Sequence, residues 1–395
     1  MTPSRIIVDA RVLRGPPGGV AAYVQALVEH LPKLLPNVPI VFLRHPNNRY
    51  RLSQAPNITE WLSSGTPQSP RDYFRMGVWL NARLASDDLF HAPYRILPKG
   101  VLAKSVISIH DVMQLVCPEL VFPNPVLRAV ARPFWSIAVR STIKRADRLL
   151  AVSQYSADDT LRVDPSCAPR LRVTLNGKSS SFRPIEKADA ERATSFIVPI
   201  GKRFFLVIGG GYPNKNHVAA VSAFGKEFPD SENMHLLMIE RRRTFPPEIR
   251  RIVRRHHLGG RVQVRGSVST EQLVALYNRA EALVFPSLYE GFGIPVLEAM
   301  ASGCPVLCSN VTSLPEVAGD AALQFNPNDH DEISTTMRRI VEDKNLRTDL
   351  SKRGLRRAAL FDWRKTVLET IDVYREIAPW IPAPRVTAPR SRELR

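Results

Sequence analysis

The sequence predicts an α/β protein with two doubly wound, parallel-sheet domains, and three observations lead to this fold class. Short apolar runs rich in β-branched residues alternate with amphipathic segments along the chain. Most of these runs are nearly continuous in hydrophobic residues, which is typical of parallel strands covered by helices on both faces. The length of 395 residues suits two domains of ordinary size. Together these observations favour two Rossmann-like domains that face each other across a cleft.

The first half of the chain predicts six strands and three helices in alternation. The strand candidates lie at 5–9, 39–43, 89–91, 105–110, 148–153 and 171–175, and the helix candidates at 20–31, 125–144 and 155–163. Pro32 is the predicted end of the first helix, because a proline inside a helix removes a backbone hydrogen bond.

The second half repeats this alternation. Strands are predicted at 204–209, 235–239, 261–265, 282–285, 305–308 and 323–325, and helices at 270–280, 331–343 and 363–377. In the segment 270–280 apolar residues recur at positions i, i+3, i+4 and i+7, as on the buried face of a helix. Ser269 and Gln272 have the spacing of a capping box at its start.

These units predict four parts of the chain. We expect an N-terminal Rossmann-like domain at 1–185 and a C-terminal Rossmann-like domain at 186–362, with the polar stretch 182–195 as their linker. We expect the segment 363–378 to form a helix that packs back toward the first domain. Residues 379–395 contain four prolines and four arginines and are predicted to form a disordered tail.

Composition excludes several classes of protein. With 44% hydrophobic and 23% charged residues, the chain is not disordered as a whole. No apolar run reaches the ~18–20 residues of a membrane-spanning helix, and the first residues lack the features of a signal peptide. We therefore expect a cytoplasmic protein, either free or peripheral on the inner face of the plasma membrane. In that reducing compartment its four cysteines are expected to be free thiols.

The glycine-rich stretch 285–306 carries the densest chemical signal. A predicted strand ends, a loop with Gly291 and Gly293 follows, and Pro295 favours the first turn of a helix. The free N–H groups of a helix start can bind an anion, and glycines let a ligand approach the backbone closely. In open α/β sheets ligands bind at the carboxyl ends of the strands, where we expect this loop to lie.

Two carboxylates bracket the loop, with Glu290 inside it and Glu298 about one turn into the helix. One could accept hydrogen bonds from ribose hydroxyls, and the other could bind sugar hydroxyls or stabilise positive charge near an anomeric carbon. The alternative is a helix start with favourably placed acidic residues.

This stretch resembles the signature of the family-4 retaining glycosyltransferases of the GT-B fold, whose Glu-x7-Glu motif is matched by Glu290 and Glu298. The segments 318–322 and 361–363 are also similar to that family. The resemblance covers most of 5–377 and is strongest over 266–325. Within the family, the chain is most similar to bacterial mannosyltransferase-like enzymes of polysaccharide synthesis.

The resemblance implies a hexosyltransferase that moves a hexose, with mannose favoured, from a nucleoside diphosphate sugar to an acceptor. That acceptor would be a saccharide or lipid-linked saccharide of a bacterial surface polysaccharide such as lipopolysaccharide. GDP-mannose is the favoured donor. Neither a metal nor another cofactor is implied, since cationic side chains and helix dipoles can neutralise the leaving group. Asp329-His330-Asp331 is instead predicted to cap the following helix.

The resemblance also implies a role for each matching residue. The transferred sugar would contact Glu290 and His110, and the acceptor would enter against the first domain. Donor binding would involve Lys215, Glu298, Gly291, Phe292, Gly293, Ser267 and Val268. Within that set, Glu298 would bind the ribose, Lys215 and the loop around Gly293 the diphosphate, and residues 266–268 the base. Gly18 and Gly19 would form the family's N-terminal glycine loop.

The sequence departs from the family at two points. Relatives pair Lys215 with an arginine, but Gly210, Gly211 and Asn214 occupy the positions where that arginine is often found. Where relatives usually end a strand with glycine, this chain has Glu240 followed by three arginines. The missing arginine leaves a catalytically silent nucleotide-sugar-binding protein as an alternative function.

The net charge of +18 indicates an anionic partner, which could be a nucleic acid, a membrane surface or a phosphorylated ligand. Nine arginines lie in 241–265, and six basic residues lie in 127–148, where apolar residues recur at roughly helical spacing. The second segment could rest on an anionic membrane or bury its apolar stripe in the first domain. The sequence has no motif for specific nucleic-acid recognition, so a basic nucleic-acid-binding protein is the less favoured alternative.

Overall fold

The computed structural model describes residues 3–14, 18–48, 51–198, 201–240 and 244–385. The first domain contains a parallel sheet of seven strands, β1 (Ile6–Asp9), β2 (Ile40–Arg44), β3 (Ile58–Leu62), β4 (Leu89–Ala92), β5 (Lys104–Ile109), β6 (Arg148–Ala151) and β7 (Leu171–Val173). Their order is β3-β2-β1-β4-β5-β6-β7, and every neighbouring pair is parallel. The helices of this domain are α1 (Gly19–Leu34), α2 (Pro70–Asn81), α3 (Met113–Val116), α4 (Pro118–Val121), α5 (Pro125–Arg145) and α6 (Gln154–Val163).

The second domain contains a parallel sheet of six strands. These are β8 (Arg203–Gly209), β9 (Met234–Glu240), β10 (Val262–Arg265), β11 (Ala282–Phe285), β12 (Val306–Ser309) and β13 (Leu323–Phe325), in the order β10-β9-β8-β11-β12-β13. The remaining helices are α7 (Lys187–Thr194), α8 (His217–Glu227), α9 (Pro247–Arg255), α10 (Thr270–Arg279), α11 (Ile294–Ala301), α12 (Leu314–Ala318), α13 (His330–Glu342), α14 (Lys344–Ala358) and α15 (Trp363–Ile377).

Both sheets have the doubly wound strand order, which reverses between β1 and β4 in one sheet and between β8 and β11 in the other. The predicted fold class, with two parallel α/β domains, is therefore confirmed. Ligands of such sheets bind beyond the carboxyl ends of the strands at the point of reversal. The loops that follow β8 and β11 therefore lie at the expected ligand-binding position.

Three predictions about local structure need correction. Pro32 does not end the first helix, because it is buried in the last turn of α1, where only one hydrogen bond near the end is lost. The predicted linker at 182–195 contains α7, whose Ala190 and Thr194 are buried. The strand β3 and the helix α2 were not predicted. β3 is an edge strand of five residues, none of them buried, and Thr59 and Glu60 interrupt its apolar run.

Two predicted helix caps are present. Ser269 accepts a hydrogen bond from the backbone N–H of Gln272, and the Gln272 side chain accepts one from the backbone N–H of Ser269. Asp329 caps α13 by accepting hydrogen bonds from the N–H groups of Asp331 and Glu332. This local chemistry accounts for the place where each helix begins.

The helix α15 follows the second domain in sequence but lies against the first. Its apolar side chains Trp363, Val367, Ile371 and Tyr374 belong to the buried cluster that contains the inner face of α1. Lys178 and Asp362 form a parallel bridge, so the two segments that cross between the domains run side by side. The prediction of a disordered tail over 379–395 is wrong for its first part, because Ile381 is buried with α15 and Trp380 Nε1 donates to the Asp87 carbonyl at 2.9 Å. Residues 386–395 lie outside the described residues.

A buried chain of hydrogen bonds joins α15 to the first sheet and to α1. His91 is neutral, since burial lowers its pKa to about 3. The Ser108 hydroxyl lies 2.8 Å from both the Tyr23 hydroxyl and His91 Nε2. On the other side of the ring, His91 Nδ1 lies 2.5 Å from the Tyr374 hydroxyl. Because a hydroxyl can donate or accept, both nitrogens of the neutral ring have a partner.

The helix α5 is only partly covered. Ala138, Val139 and Ile143 in its second half are fully buried, but in its first half Val126, Leu127 and Val130 are 62–75% exposed. The interpretation that the whole apolar stripe packs into the domain is therefore wrong for the first half. None of the helices among the described residues has both the length and the apolar character needed to cross a membrane.

We predict that Ile371→Ala lowers the free energy of unfolding by roughly 2–5 kcal/mol, because it opens a cavity between α15 and α1. Urea denaturation of the full chain measures this change. The control is Asp372→Ala, since the Asp372 side chain is 65% exposed on the same helix. If the Ile371 variant unfolds at the same urea concentration as the unaltered protein, α15 does not stabilise the first domain.

Candidate active site

The loop between β11 and α11 lies at the reversal point of the second sheet and carries Glu290. The Ser313 hydroxyl lies 3.0 Å from the carbonyl oxygen of Glu290 and 2.8 Å from that of Phe292. The backbone N–H of Glu290 donates to Thr312 Oγ1 at 3.2 Å. Thr312 itself has φ +59°, which is unfavourable for a β-branched residue. The backbone on both sides of the Glu290 side chain is therefore held from within its own domain.

Gly291 brings this loop into contact with the first domain. A Cβ atom at this position would lie 1.7 Å from the carbonyl oxygen of His110, so no other residue fits without movement of the backbone. The Gly291 carbonyl oxygen lies 2.7 Å from Ser153 Oγ and 2.9 Å from Ser156 Oγ, both of which can donate to it. The predicted residues Glu290, Gly291 and His110 thus meet where the two domains touch.

Lys215 lies beside the loop and forms an ion pair with Glu290. Its Nζ atom is 2.5 Å from Glu290 Oε1, and both side chains are largely buried. Asn214, at one of the positions where an arginine was expected, donates from Nδ2 to the Tyr289 carbonyl at 3.0 Å. The backbone carbonyl of Asn214 accepts a hydrogen bond from the backbone N–H of Leu288 at 2.7 Å. Asn214 therefore anchors the loop, and Lys215 supplies a cation that an anionic ligand could take from Glu290.

Glu298 lies one turn inside α11 and is mostly shielded from solvent. The hydroxyl of Tyr277 lies 3.2 Å from Glu298 Oε2 and 3.3 Å from the Pro295 carbonyl oxygen. Burial raises the pKa of the Glu298 carboxyl to about 8. The group is therefore largely protonated at neutral pH and becomes a strong hydrogen-bond acceptor when it ionises.

His110 follows β5 and is half-buried at the edge of the first sheet. Its Nε2 atom lies 3.1 Å from the Pro93 carbonyl oxygen, which can only accept, so Nε2 carries the proton. Burial lowers the pKa of His110 to about 4, which keeps the ring neutral and leaves Nδ1 as an acceptor. The ring of Tyr23 packs edge-on at 5.2 Å between centroids and fixes its plane.

The other predicted residues lie around the start of α11 or farther from it. Gly293, with φ +111°, precedes the first turn of α11, and a Cβ atom on Gly19 would lie 3.6 Å from Ile294 of that turn. Phe292 is buried against Phe361, so only its backbone can face a ligand. The remaining predicted positions are Gly18, which is exposed beside α1, Ser267, which is exposed after β10, and Val268, which packs against the core cluster containing Phe292.

The second departure from the family pattern forms a buried pair. Glu240 Oε2 lies 3.3 Å from His217 Nδ1, at the first residue of α8. A Cβ atom on Gly211 would lie 1.9 Å from Glu240 Oε1, so this carboxylate fills the space beside the glycine loop after β8. The three arginines at 241–243 lie outside the described residues.

Models of two domain families match the chain in consecutive parts. Glycosyltransferase Family 4 matches residues 17–178, and Glycosyl transferases group 1 matches residues 191–357. The O-antigen chain mannosyltransferase B of Escherichia coli is 32% identical over 290 residues, which cover 73% of this chain and 74% of that protein. The chain belongs to the family-4 glycosyltransferases. It is a glycosyltransferase of the GT-B fold, as the resemblance implied.

Two further proteins are similar to this glycosyltransferase, one in sequence and one in fold. The serotype-specific mannosyltransferase WbdA of Escherichia coli is 30% identical over 269 residues, which cover 67% of this chain but only 32% of WbdA. The chain therefore corresponds to about a third of that longer relative. The structure of Anabaena HepE in complex with UDP and glucose has a TM-score of 0.71 at 14% identity, covering 94% of this chain and 100% of HepE.

We predict that Glu298→Gln stabilises the ligand-free glycosyltransferase in a pH-dependent way. The native protein holds the Glu298 proton up to about pH 8, whereas the unfolded chain releases it near pH 4.5. The unaltered protein therefore loses stability as pH rises through that window. The free energy of unfolding of the variant, relative to the unaltered protein, should rise by roughly 1–3 kcal/mol between pH 5 and pH 9.

Urea titrations at pH 5, 7 and 9 measure this difference. Glu342→Gln, at the exposed end of α13, is the control and should give a difference that does not change with pH. A constant difference for Glu298→Gln as well would mean that its carboxyl is ionised in the native protein throughout this range.

Proposed function

We propose that this glycosyltransferase transfers a hexose, with mannose favoured, from a nucleoside diphosphate sugar to a saccharide or lipid-linked saccharide acceptor of a bacterial surface polysaccharide. The observation that carries this proposal is the Lys215–Glu290 pair at the glycine loop, where that loop touches the backbone of His110. This arrangement combines a cation for the leaving group, Lys215, with two polar groups for the sugar, Glu290 and His110. The choice of mannose is supported by the names of the relatives in Escherichia coli.

The diphosphate of the donor fits the start of α11. No side chain caps this helix, and no acidic residue lies in its first turn. Pro295 has no N–H, and the N–H of Val296 donates to the Gly293 carbonyl at 3.0 Å, so the N–H of Ile294 and the positive end of the helix dipole would receive the anion. Lys215 lies beside the same loop, and it would exchange Glu290 for a phosphate oxygen. This exchange would free the Glu290 carboxylate to accept from the sugar. Glu298 would accept from the ribose hydroxyls, and Ser267 and Val268 would pass beside the base.

The proposed reaction retains the configuration of the anomeric carbon. The bond from that carbon to the diphosphate oxygen breaks, and its electron pair stays on the oxygen. The acceptor hydroxyl oxygen bonds to the same face of the carbon, and its proton passes to the leaving phosphate oxygen. Lys215 and the positive end of α11 stabilise the charge that develops on the diphosphate. Glu290 and the neutral His110 orient the sugar.

We propose that this chemistry needs no metal ion, because Lys215 and the start of α11 neutralise the diphosphate. GDP-mannose is the donor that we expect. A catalytically silent nucleotide-sugar-binding protein is the second candidate, and the position of Asn214 favours it, since this side chain anchors the loop and adds no charge. Binding and transfer, measured separately, distinguish the two.

We predict that GDP-mannose raises the Tm of the protein more than UDP, ADP or dTDP sugars do, and that transfer persists in EDTA. Lys215→Gln should weaken GDP-mannose binding about 10- to 100-fold, since it removes a charged donor to the diphosphate. Glu290→Gln should lower the transfer rate by about 100-fold or more while the donor still binds. Calorimetry and the transfer of labelled mannose measure these effects.

The control for Lys215→Gln is Lys352→Gln, on the exposed face of α14. Binding of GDP-mannose without any transfer would identify the silent binding protein. If no nucleotide sugar raises the Tm, the enzyme proposal fails as a whole.

We also propose that the enzyme contacts an anionic membrane surface through α2 and α5. Phe74 and Val78 on α2 are 56% and 74% exposed, and the rings of Tyr73 on α2 and Phe134 on α5 pack against each other at 5.8 Å. The exposed apolar residues Val126, Leu127, Val130 and Ile137 extend this surface along α5. The basic residues Arg71, Arg75, Arg128 and Arg132 lie on the same two helices. Apolar side chains flanked by arginines suit the interface of an anionic bilayer.

We predict that the protein floats with vesicles that contain anionic lipid and not with neutral vesicles. The double variant Leu127→Ser, Val130→Ser should remain in the lower fraction, because it removes apolar area that would enter the bilayer. Phe196→Ser changes an exposed apolar residue outside this surface and should float as the unaltered protein does. Equal flotation of both variants would contradict the assignment of the surface.

A further inference from the structure

We propose that Glu316 is a positioning residue that joins the two domains. Its carboxylate belongs to the second domain but caps the N-terminus of α6 in the first, and so holds the Glu290 loop against His110. This inference rests on the proposed function, because it assigns Glu290 and His110 to the sugar site.

Both oxygens of the Glu316 carboxylate receive a backbone hydrogen bond from the first turn of α6. The N–H of Gln154 donates to Oε1 at 2.9 Å, and the N–H of Tyr155 donates to Oε2 at 3.2 Å. The next N–H, that of Ser156, donates to Ser153 Oγ at 3.0 Å within the helix itself. Two of the first three N–H groups of α6 therefore find their acceptor in the other domain.

The electrostatics of α6 favour this contact. The helix has ten residues, and its first turn has the Ser153 hydroxyl as a cap but no acidic side chain, so no local negative charge balances the positive end of its dipole. Among the ion pairs that the described part of the chain forms, none includes Glu316. The two charges thus compensate each other across the domain interface, through hydrogen bonds of the charge-assisted kind.

A second contact ties α6 to the residue that precedes Glu290. The hydroxyl of Tyr289 donates to Asp159 Oδ2 at 2.6 Å, and this bond is buried. The ring of Tyr155 packs edge-on against that of Tyr289 at 5.9 Å. With the bonds from Ser153 and Ser156 to Gly291, residues on both sides of Glu290 are held by one helix of the opposite domain.

The same turn of α6 also holds His110. Ser156 Oγ lies 3.0 Å from the carbonyl oxygen of His110 and 2.9 Å from that of Gly291. One helix turn therefore sets both candidate catalytic groups, and Glu316 keeps that turn in place. The proposed donor-binding groups Lys215, Gly293 and Glu298 all lie in the second domain. A weaker contact at Glu316 should disturb the transfer step and leave donor binding unchanged.

The variant Glu316→Gln tests this separation, because it keeps the shape of the side chain but removes its charge and one of its two acceptors. We expect kcat to fall about tenfold, as for the loss of roughly 1.4 kcal/mol in the transition state. We expect the Kd for GDP-mannose to stay within about twofold of that of the unaltered enzyme. Tyr289→Phe removes the second contact and should show the same division between kcat and Kd. Glu342→Gln, the matched exposed control, should change neither quantity.

Hydrogen exchange in the full, ligand-free chain tests the contact without any reaction. In Glu316→Gln the amides of Gln154 and Tyr155 should exchange about tenfold faster than in the unaltered protein, while the amides of β8 keep their protection. Unchanged exchange at these amides overturns the inference, whatever the enzyme transfers. Equal losses of kcat and donor affinity also overturn it. Faster exchange in a protein that binds no nucleotide sugar contradicts the proposed function and leaves the contact itself confirmed.

Discussion

The close approach of Gly291 to the backbone of His110 is the constraint on which the rest of the site depends. Because residue 291 has no side chain, the loop after β11 can touch the end of β5, and its carbonyl oxygen can reach the hydroxyls of Ser153 and Ser156. Glu290, the neighbour of Gly291, is thereby placed at the boundary of two domains that otherwise have separate sheets. A larger residue would force these backbones apart, and with them the polar groups that we assign to the sugar.

The two domains contribute different chemistry to this boundary. The second domain supplies the cation of Lys215, the uncapped start of α11 and the protonated Glu298, which together suit a nucleoside diphosphate. The first domain supplies His110, whose protonation is set by burial and by the Pro93 carbonyl. The helix α15 connects these parts. It follows the second domain in sequence, packs on α1, and reaches through His91 and Ser108 to Tyr23, the ring that lies against His110.

Local patterns in the sequence predicted most of the fold but only part of the site. Parallel strands have continuous apolar runs and helices have caps, so these elements can be read from neighbouring residues, whereas the edge strand β3 and the short helix α7 lack such patterns. The motif around Glu290 indicated the loop and the helix start. The bonds to Asn214, Thr312 and Ser313 depend on how distant segments meet, and no local pattern reveals them. No local pattern singles out the carboxylate of Glu316, whose two backbone donors lie 162 and 161 positions away in the sequence.

A crystal structure of the enzyme with bound GDP-mannose tests the central claim most directly. The account predicts that the diphosphate lies at the start of α11 within hydrogen-bond reach of Lys215, that the ribose lies on Glu298, and that the mannose lies between Glu290 and Nδ1 of His110. In that complex Lys215 should have left Glu290 for a phosphate oxygen. A diphosphate bound elsewhere, or a Lys215–Glu290 pair that remains intact beside the bound donor, would contradict the account.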